Sequence, residues 1–412
     1  MKMLAAVLVI FYLYTLLFGI FMTDLFRIPA PLIFCTTLVL LFPEKEKLAF
    51  MYNRELVLFG LAIFLYNVIG LSELMVFIAY IMCIGLCALY FNFFVGTNKM
   101  RFNITIYVFI ALLMFSAVVM VLNPYYLLEV NNLRSMLMGE PVVQSPSGIA
   151  VYQFNFGYQL AALVPFLLIF TFVYKKPILV KVTILFICLL FIYLGMQRSV
   201  FVGFVCSAFL FLLMYYNYKA IFITALAICA AFFFYTYVLK DNLDSYNNII
   251  TKNENNMQEY NRSTLAAENL RIYSGYPYGL IFYGKNWSDV IYRNEVFSSG
   301  ITSHNAYLMF LTYLGPFLGL GILIGLYHRI GKIIIDSFRN VRKKEYALVI
   351  CLCCSFIAVS LNSLSHNSWL VSANGPTIFL YFAILHFDFL LNRDVKSALK
   401  INVTPNIRTH HS

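Results

Sequence analysis

Apolar runs about as long as a bilayer is thick recur from one end of this chain to the other. They fall roughly at 4–22, 28–42, 56–71, 74–95, 104–122, 158–174, 178–194, 200–216, 220–239, 306–327, 347–361 and 376–391. A helix of about 20 apolar residues crosses a bilayer, and in lipid it satisfies its own backbone groups. The pattern predicts an all-α polytopic integral membrane protein with about 12 transmembrane helices. Composition agrees, since 62% of the 412 residues are hydrophobic and 11% are charged, too few polar groups to cover a soluble globule of this size. The first window is preceded by a single lysine, Lys2, and lacks a small-x-small cleavage site, so it reads as a retained helix and not a secretory signal.

Orientation follows from lysine and arginine, which are enriched in cytoplasmic segments near helix ends. With both termini inside, the cytoplasmic segments collect Lys45, Lys47, Lys99, Arg101, Lys175, Lys176, Arg342, Lys343 and Lys344, among others. The net charge of +11 is then mostly topological bias, with no nucleic acid implied and a minor role for Arg339 to Lys344 against anionic lipid. Four segments result: helices 1–9 over residues 1–239, with an outer loop at 123–157; a large outer loop at 240–303; helices 10–12 over 304–392; and a cytoplasmic tail at 393–412. The large loop is rich in Asn, Tyr and Ser with Pro and Gly stops, which predicts short helices and turns. A loop this long in a compact membrane protein is usually functional.

All nine cysteines lie inside or at the ends of apolar windows, so a disulfide-stapled exterior is excluded. Cys351, Cys353 and Cys354 have no second ligand cluster to make a metal site, and they read as core residues. No Gly-Lys-Ser/Thr phosphate loop, G-x-S-x-G elbow or H-E-x-x-H helix occurs.

What remains on the outer side is a set of cations and a histidine. Arg198, in Gly195-Met196-Gln197-Arg198-Ser199, stands between two apolar windows with almost no loop. A charge within a span costs about 2.5 kcal/mol or more unless it faces a partner or a watery cavity, so such an arginine points to function. The alternative is a snorkelling arginine at a tight turn. In the large loop Arg271, in Glu268-Asn269-Leu270-Arg271-Ile272-Tyr273, is flanked by apolar residues that place its segment back on the bundle. Arg262, Lys285 and Arg293 are further candidates, and a solvated loop charge is the alternative for each. His304 and Asn305 precede an apolar run, which places His304 in the first turn of its helix. A neutral imidazole there can take a proton from a hydroxyl, whereas a carboxylate would be repelled by phosphate. A capping His-Asn pair without chemistry is the alternative. A second Ser-His-Asn occurs at Ser365-His366-Asn367, and His366 can share or take the role.

In order, these parts resemble the O-antigen polymerase and O-antigen ligase superfamily: many spans, a short outer turn with Arg, a long outer loop with Arg, then His-Asn-x-x-Leu opening a helix followed by Gly. Here they are Gln197-Arg198-Ser199, Leu270-Arg271, and His304-Asn305-Ala306-Tyr307-Leu308 followed by Gly315 and Gly319, within residues 185–327. Where the family carries Gly-x-Gly near the end of the loop, this chain has Gly275-Tyr276-Pro277-Tyr278-Gly279 and Gly284.

The resemblance implies metal-independent, cofactor-free glycosyl transfer from an undecaprenyl diphosphate-linked oligosaccharide on the periplasmic face of a bacterial inner membrane. Arg198 and Arg271 would hold the diphosphate, because guanidinium presents a fixed fork of donors to phosphate. His304 would activate the acceptor hydroxyl, and Asn305 would fix the ring or a sugar hydroxyl. Tyr276, Tyr278 and Trp287 offer flat faces for sugars, against a plain packing role. An O-antigen polymerase serving lipopolysaccharide biosynthesis, with a flippase and a chain-length regulator as possible partners, is favoured over a ligase. The reason is that the outer face carries no concentrated basic patch for a phosphorylated lipid A core. A flippase or transporter for the same lipid-linked glycan is the non-enzymatic alternative, disfavoured by the long outer loop and the lack of an internal repeat.

Overall fold

The computed structural model describes residues 2–21, 29–46, 49–71, 73–222, 262–292, 294, 296–297, 303–367 and 370–403. Among the described residues every regular element is a helix. The first nine are α1 (Lys2–Leu17), α2 (Ala30–Leu41), α3 (Asn53–Ile63, prolonged by a π-turn at Phe64–Gly70), α4 (Leu74–Leu89, prolonged likewise at Tyr90–Val95), α5 (Lys99–Leu122), α6 (Leu127–Met138), α7 (Gln153–Val173), α8 (Ile178–Leu194) and α9 (Arg198–Tyr216). They are followed by α10 (Arg262–Gly275), α11 (Trp287–Ile291), α12 (Ala306–Arg339), α13 (Ala347–Asn362) and α14 (Gly375–Val403).

Among the described residues eight helices are long and apolar enough to cross a membrane: Asn53–Gly70, Leu74–Val95, Lys99–Leu122, Gln153–Val173, Arg198–Tyr216, Ala306–Arg339, Lys344–Ser365 and Gly375–Arg393. Met3–Leu17, Ala30–Leu41 and Ile178–Leu194 are apolar but shorter. The ninth expected window, 220–239, lies almost wholly outside the described residues. This is the make-up of a multi-pass membrane protein. Helices α7, α13 and α14 bury most of their surface and form the centre, while the others expose apolar flanks such as Val57, Met75, Phe186 and Ile324. Polar flanks would have marked a soluble bundle.

The apolar window 306–327, expected to be one straight helix, is instead broken. Gly315 has φ 75° and ψ 178°, and Pro316 follows it. Proline removes a backbone donor and disfavours helical geometry in the residue before it, while glycine alone takes positive φ freely. In a straight helix Tyr307 and Tyr327 would stand about 30 Å apart along the axis, yet their hydroxyls are 2.8 Å apart. A Cβ placed on Gly319 would lie 3.6 Å from the Cα of Leu311. Helix α12 is therefore a hairpin. Its first arm, residues 306–314, is about 13 Å long at 1.5 Å per residue, too short to cross a ~30 Å hydrocarbon core. Residues 316–339 form the long arm.

The bundle has two polar ends. At one, Arg101 donates to the carbonyls of Phe42 and Phe94 at 2.9 and 2.6 Å, and Arg329 pairs with the buried Glu55 at 2.8 Å. There Tyr52 donates to Nδ1 of His386 at 2.7 Å, and Nε2 of His386 donates to the Gly96 carbonyl at 2.7 Å. The loops 123–152 and 195–199 and the start of α12 lie at the other end. Six cysteines are buried among the helices (Cys35, Cys87, Cys188, Cys351, Cys353, Cys354), Cys83 is half-buried and Cys206 is exposed on α9.

Candidate functional site

Arg198 is the first residue of α9, and its side chain is exposed. It thus stands at the end of the bundle, not within a span as the missing loop suggests. The turn is made by Met196, whose φ of 50° reverses the chain between α8 and α9. Ser199, next in sequence, is buried and lies 3.2 Å from Nε2 of His366. His366 is 4% exposed and is flanked by the rings of Phe154 at 6.3 Å and Tyr158 at 5.8 Å. Its carbonyl accepts the Ala306 N–H at 2.9 Å. One residue, His366, therefore joins the Gln-Arg-Ser turn to the start of the α12 hairpin.

At that start Asn305 caps the helix, its Oδ1 accepting the Leu308 N–H at 3.0 Å. Asn305 is thus a helix cap, and its side-chain oxygen is engaged by the Leu308 N–H. His304 stands before the cap, one residue outside the helix instead of in its first turn. It is half-buried with φ 50°, a conformation that is uncommon outside glycine and clusters at functional sites. Because Ala306 and Leu308 already have acceptors, this helix N-terminus has little backbone left to offer an anion, and the Arg198 side chain supplies the accessible positive charge.

A wall of the site comes from the loop 139–152, part of the outer loop expected at 123–157. Arg134 on α6 is fully buried and holds it with four hydrogen bonds, Nε to the Gly148 carbonyl (2.7 Å), Nη1 to Ser145 Oγ (3.3 Å) and Nη2 to the carbonyls of Gln144 (3.0 Å) and Ala150 (2.8 Å), while Nη1 also donates to Asn131 Oδ1 on α6 itself (2.9 Å). Burial pushes Arg134 down to about 10, still far above neutral, so the guanidinium keeps its charge. Ile149 is clamped in turn. Its N–H donates to Ser116 Oγ at 2.8 Å, its carbonyl accepts from Gln159 at 2.8 Å, and Ser116 donates to Gln159 Oε1 at 2.5 Å. The loop then delivers Gln153, whose carbonyl accepts from Gln197 at 2.9 Å, directly before Arg198.

Beneath this layer Asn362, the last residue of α13, is fully buried, and neither its Nδ2 nor its Oδ1 has a hydrogen-bond partner among the described residues. A Cβ on Gly157 would lie 2.9 Å from Gln197 Oε1 and 3.8 Å from Asn362 Nδ2, so the absent side chain leaves these two amides facing one gap. An unsatisfied buried amide costs roughly 1–3 kcal/mol per group, and such exceptions call for a functional explanation.

Arg271 belongs to a different cluster. Its side chain is 82% exposed on α10, 3.8 Å from Glu268. Helix α10 is tied to the first arm of α12 by Asn269, which donates to Met309 Sδ at 3.2 Å and accepts from Thr312 at 2.5 Å. The segment after α10 also packs on the hairpin turn, since a Cβ on Gly315 would collide with the Tyr278 carbonyl, and Tyr278 stacks on Phe317 at 6.4 Å. Tyr276 is half-buried, Tyr278 is 56% exposed, and Lys285 is exposed. Trp287 is only 7% exposed, with its ring 5.4 Å from that of Phe297, so it packs in the core and is not a platform for a sugar. Arg262 opens α10, and Arg293 lies outside the described residues.

Among the described residues no group of three or more His, Cys, Asp or Glu side chains is placed to hold a metal ion. The sequence assigns no role to Ser199, Gln197, Asn362 or Arg134. Gln197 and Ser199 stand in the motif around Arg198, which is a signal for them; for Asn362 and Arg134 no sequence signal exists. Comparison with known proteins gives no further lead: no family model matches the chain, and no curated protein matches it significantly.

Proposed function

We propose that this protein is a membrane glycosyltransferase of the O-antigen polymerase kind, joining undecaprenyl diphosphate-linked repeat units on the periplasmic face of a bacterial inner membrane. The observation that carries this reading is the meeting of three separate sequence motifs at His366: Ser199 beside Arg198, and Ala306 beside His304 and Asn305. A structural bundle has no need to gather a guanidinium, two imidazoles and an unsatisfied amide at one end.

In the proposed reaction an acceptor hydroxyl attacks the anomeric carbon of the donor. The bond from that carbon to the phosphate oxygen breaks, the electron pair leaves with the lipid diphosphate, and the hydroxyl proton passes to an imidazole. Arg198 stabilises the charge growing on the leaving diphosphate. His304 is the better proton acceptor of the two histidines, being half-buried, whereas His366 is buried with Nε2 engaged by Ser199. His366 then holds the turn and the hairpin in register. General-base assistance of this type contributes about 10²–10⁴-fold.

The test is a lipopolysaccharide gel from a deletion strain complemented with the wild-type gene, Arg198→Ala or His304→Ala. Restoration of a ladder by the wild type, with core carrying a single repeat unit in both variants, is the expected outcome. Full ladders from both variants would sink the site. Bare core with accumulated lipid-linked polymer would instead mark a ligase. A transport reading rests on the interrupted helix α12, since broken helices line transporter sites. Bare core with unpolymerised lipid-linked repeat units would favour it.

A further inference from the structure

A cleft on α10 is left without a role by the chemistry above. It measures about 550 Å³ and is lined by Glu268, Arg271, Tyr276 and Asn294, with Ile272 and Val296 as apolar flanks. Asn294 donates to Glu268 Oε1 at 2.6 Å, and Arg271 Nη1 lies 3.8 Å from Glu268 Oε2. The carboxylate is set in the wall at 17% exposure, while the guanidinium stands largely free at 82%.

Charge in this cleft cancels, which is wrong for a diphosphate. A ligand with two or more negative charges would lie against a fixed carboxylate that repels it, whereas phosphate sites gather unneutralised donors. Hydroxyl groups suit the same residues. A carboxylate accepts charge-assisted hydrogen bonds from them, an exposed guanidinium donates to them, and an amide does both. Tyr276 is held edge-on by Tyr283, with ring centroids 5.2 Å apart at 76°, and Ile272 and Val296 can take the C–H faces of a pyranose. The volume lies within the ~300–1,000 Å³ of small-molecule sites and far exceeds what one phosphate fills.

We infer that this cleft binds a neutral, hydroxyl-rich oligosaccharide, and that Arg271 serves there as a sugar-hydroxyl donor and not as a diphosphate clamp. Through Asn269, Thr312 and Met309 the cleft is braced on the arm that begins at Ala306, so a glycan held there is positioned relative to His304. This rests on the glycan-polymerising reading for its biological sense.

The experiment uses the full chain in nanodiscs, probed with an array of linear neutral oligosaccharides of hexose and N-acetylhexosamine units, with inorganic diphosphate as competitor. The wild type is expected to retain neutral glycans. Glu268→Gln and Tyr276→Ala should each weaken retention about tenfold, and diphosphate should not compete. Should Glu268→Gln fail to fold, Asn294→Ala and Tyr276→Ala carry the same test. Retention no better than empty nanodiscs overturns the inference. So does displacement by diphosphate combined with a larger loss in Arg271→Met than in Glu268→Gln, the behaviour of an anion site. Polymer assembly read alongside separates the two readings: normal glycan retention with a full ladder from Arg198→Ala and His304→Ala would leave the cleft standing and remove the polymerase.

Discussion

Arg134 makes five hydrogen bonds through its guanidinium, four of them to the loop 139–152 and one to Asn131 on its own helix α6. Replacing it with methionine roughly keeps the volume and strands the carbonyls of Gln144 and Ala150, each costing roughly 1–3 kcal/mol, while the Gly148 carbonyl keeps the Ala150 N–H. Arg134→Met should therefore lower stability by at least about 2 kcal/mol, read as a depressed thermal midpoint of the purified protein; an unchanged midpoint would mean that the loop does not depend on it. Its folded value lies below the ordinary one, so burial penalises the charged form. That penalty is present at neutral pH and is relieved only as pH rises through about 10, so this residue gives the loop no pH dependence near neutrality. Asn362 should behave in the opposite way. Its unpartnered amide is a cost that leucine removes, so Asn362→Leu is expected to raise the thermal midpoint by about 1–2 kcal/mol equivalent while reducing polymer length on a gel. Higher stability with undiminished polymer would show that the amide serves no reaction. Neither residue is legible in the sequence, because an arginine or an asparagine in a polar stretch looks the same whether it is solvated or buried.

Among the elements, α12 departs furthest from its sequence expectation. Leu314-Gly315-Pro316 carries the local reason for a break, yet an apolar window counts residues and not direction, so a hairpin and a straight span have the same composition. What makes the turn stable is the approach of Tyr278 to Gly315, where no Cβ fits. Gly315→Ala should cost about 1–3 kcal/mol through its left-handed backbone alone, and more through the collision. Gly321→Ala is the control: a Cβ there meets nothing within 4 Å, and alanine gains about 1 kcal/mol of helix propensity. Equal thermal midpoints for the two variants would contradict the hairpin. Helix α10 shows the converse. The apolar residues around Arg271 correctly indicate that its segment packs on the bundle, but it is Asn269 that makes the connection, and Leu270 stays 52% exposed.

On the scale of the whole molecule, the ion pair of Glu55 and Arg329 sits at the end opposite Arg198 and joins α3 to the long arm of α12. Glu55 is 3% exposed and Arg329 35%, so losing the arginine is worse than losing both. Arg329→Gln should destabilise by about 3 kcal/mol, and the double change Glu55→Gln with Arg329→Gln should recover part of that. A thermal-unfolding double-mutant cycle with no coupling would show that the pair does not hold the two helices. The sequence by itself determined that the chain is helical and that many of its helices are of membrane-crossing length. Both are local properties, set by runs of apolar side chains and by a backbone that must bond to itself in lipid. It also placed Asn305 at a helix start, since a cap reaches only three residues ahead. Only the tertiary structure decided that His366 lies between Ser199 and Ala306, that Arg134 knots a loop beside them, and that Arg271 faces a carboxylate in a separate cleft. These contacts join residues far apart in the chain or side chains whose directions depend on packing, and no periodicity or spacing records where a helix ends up relative to its neighbours.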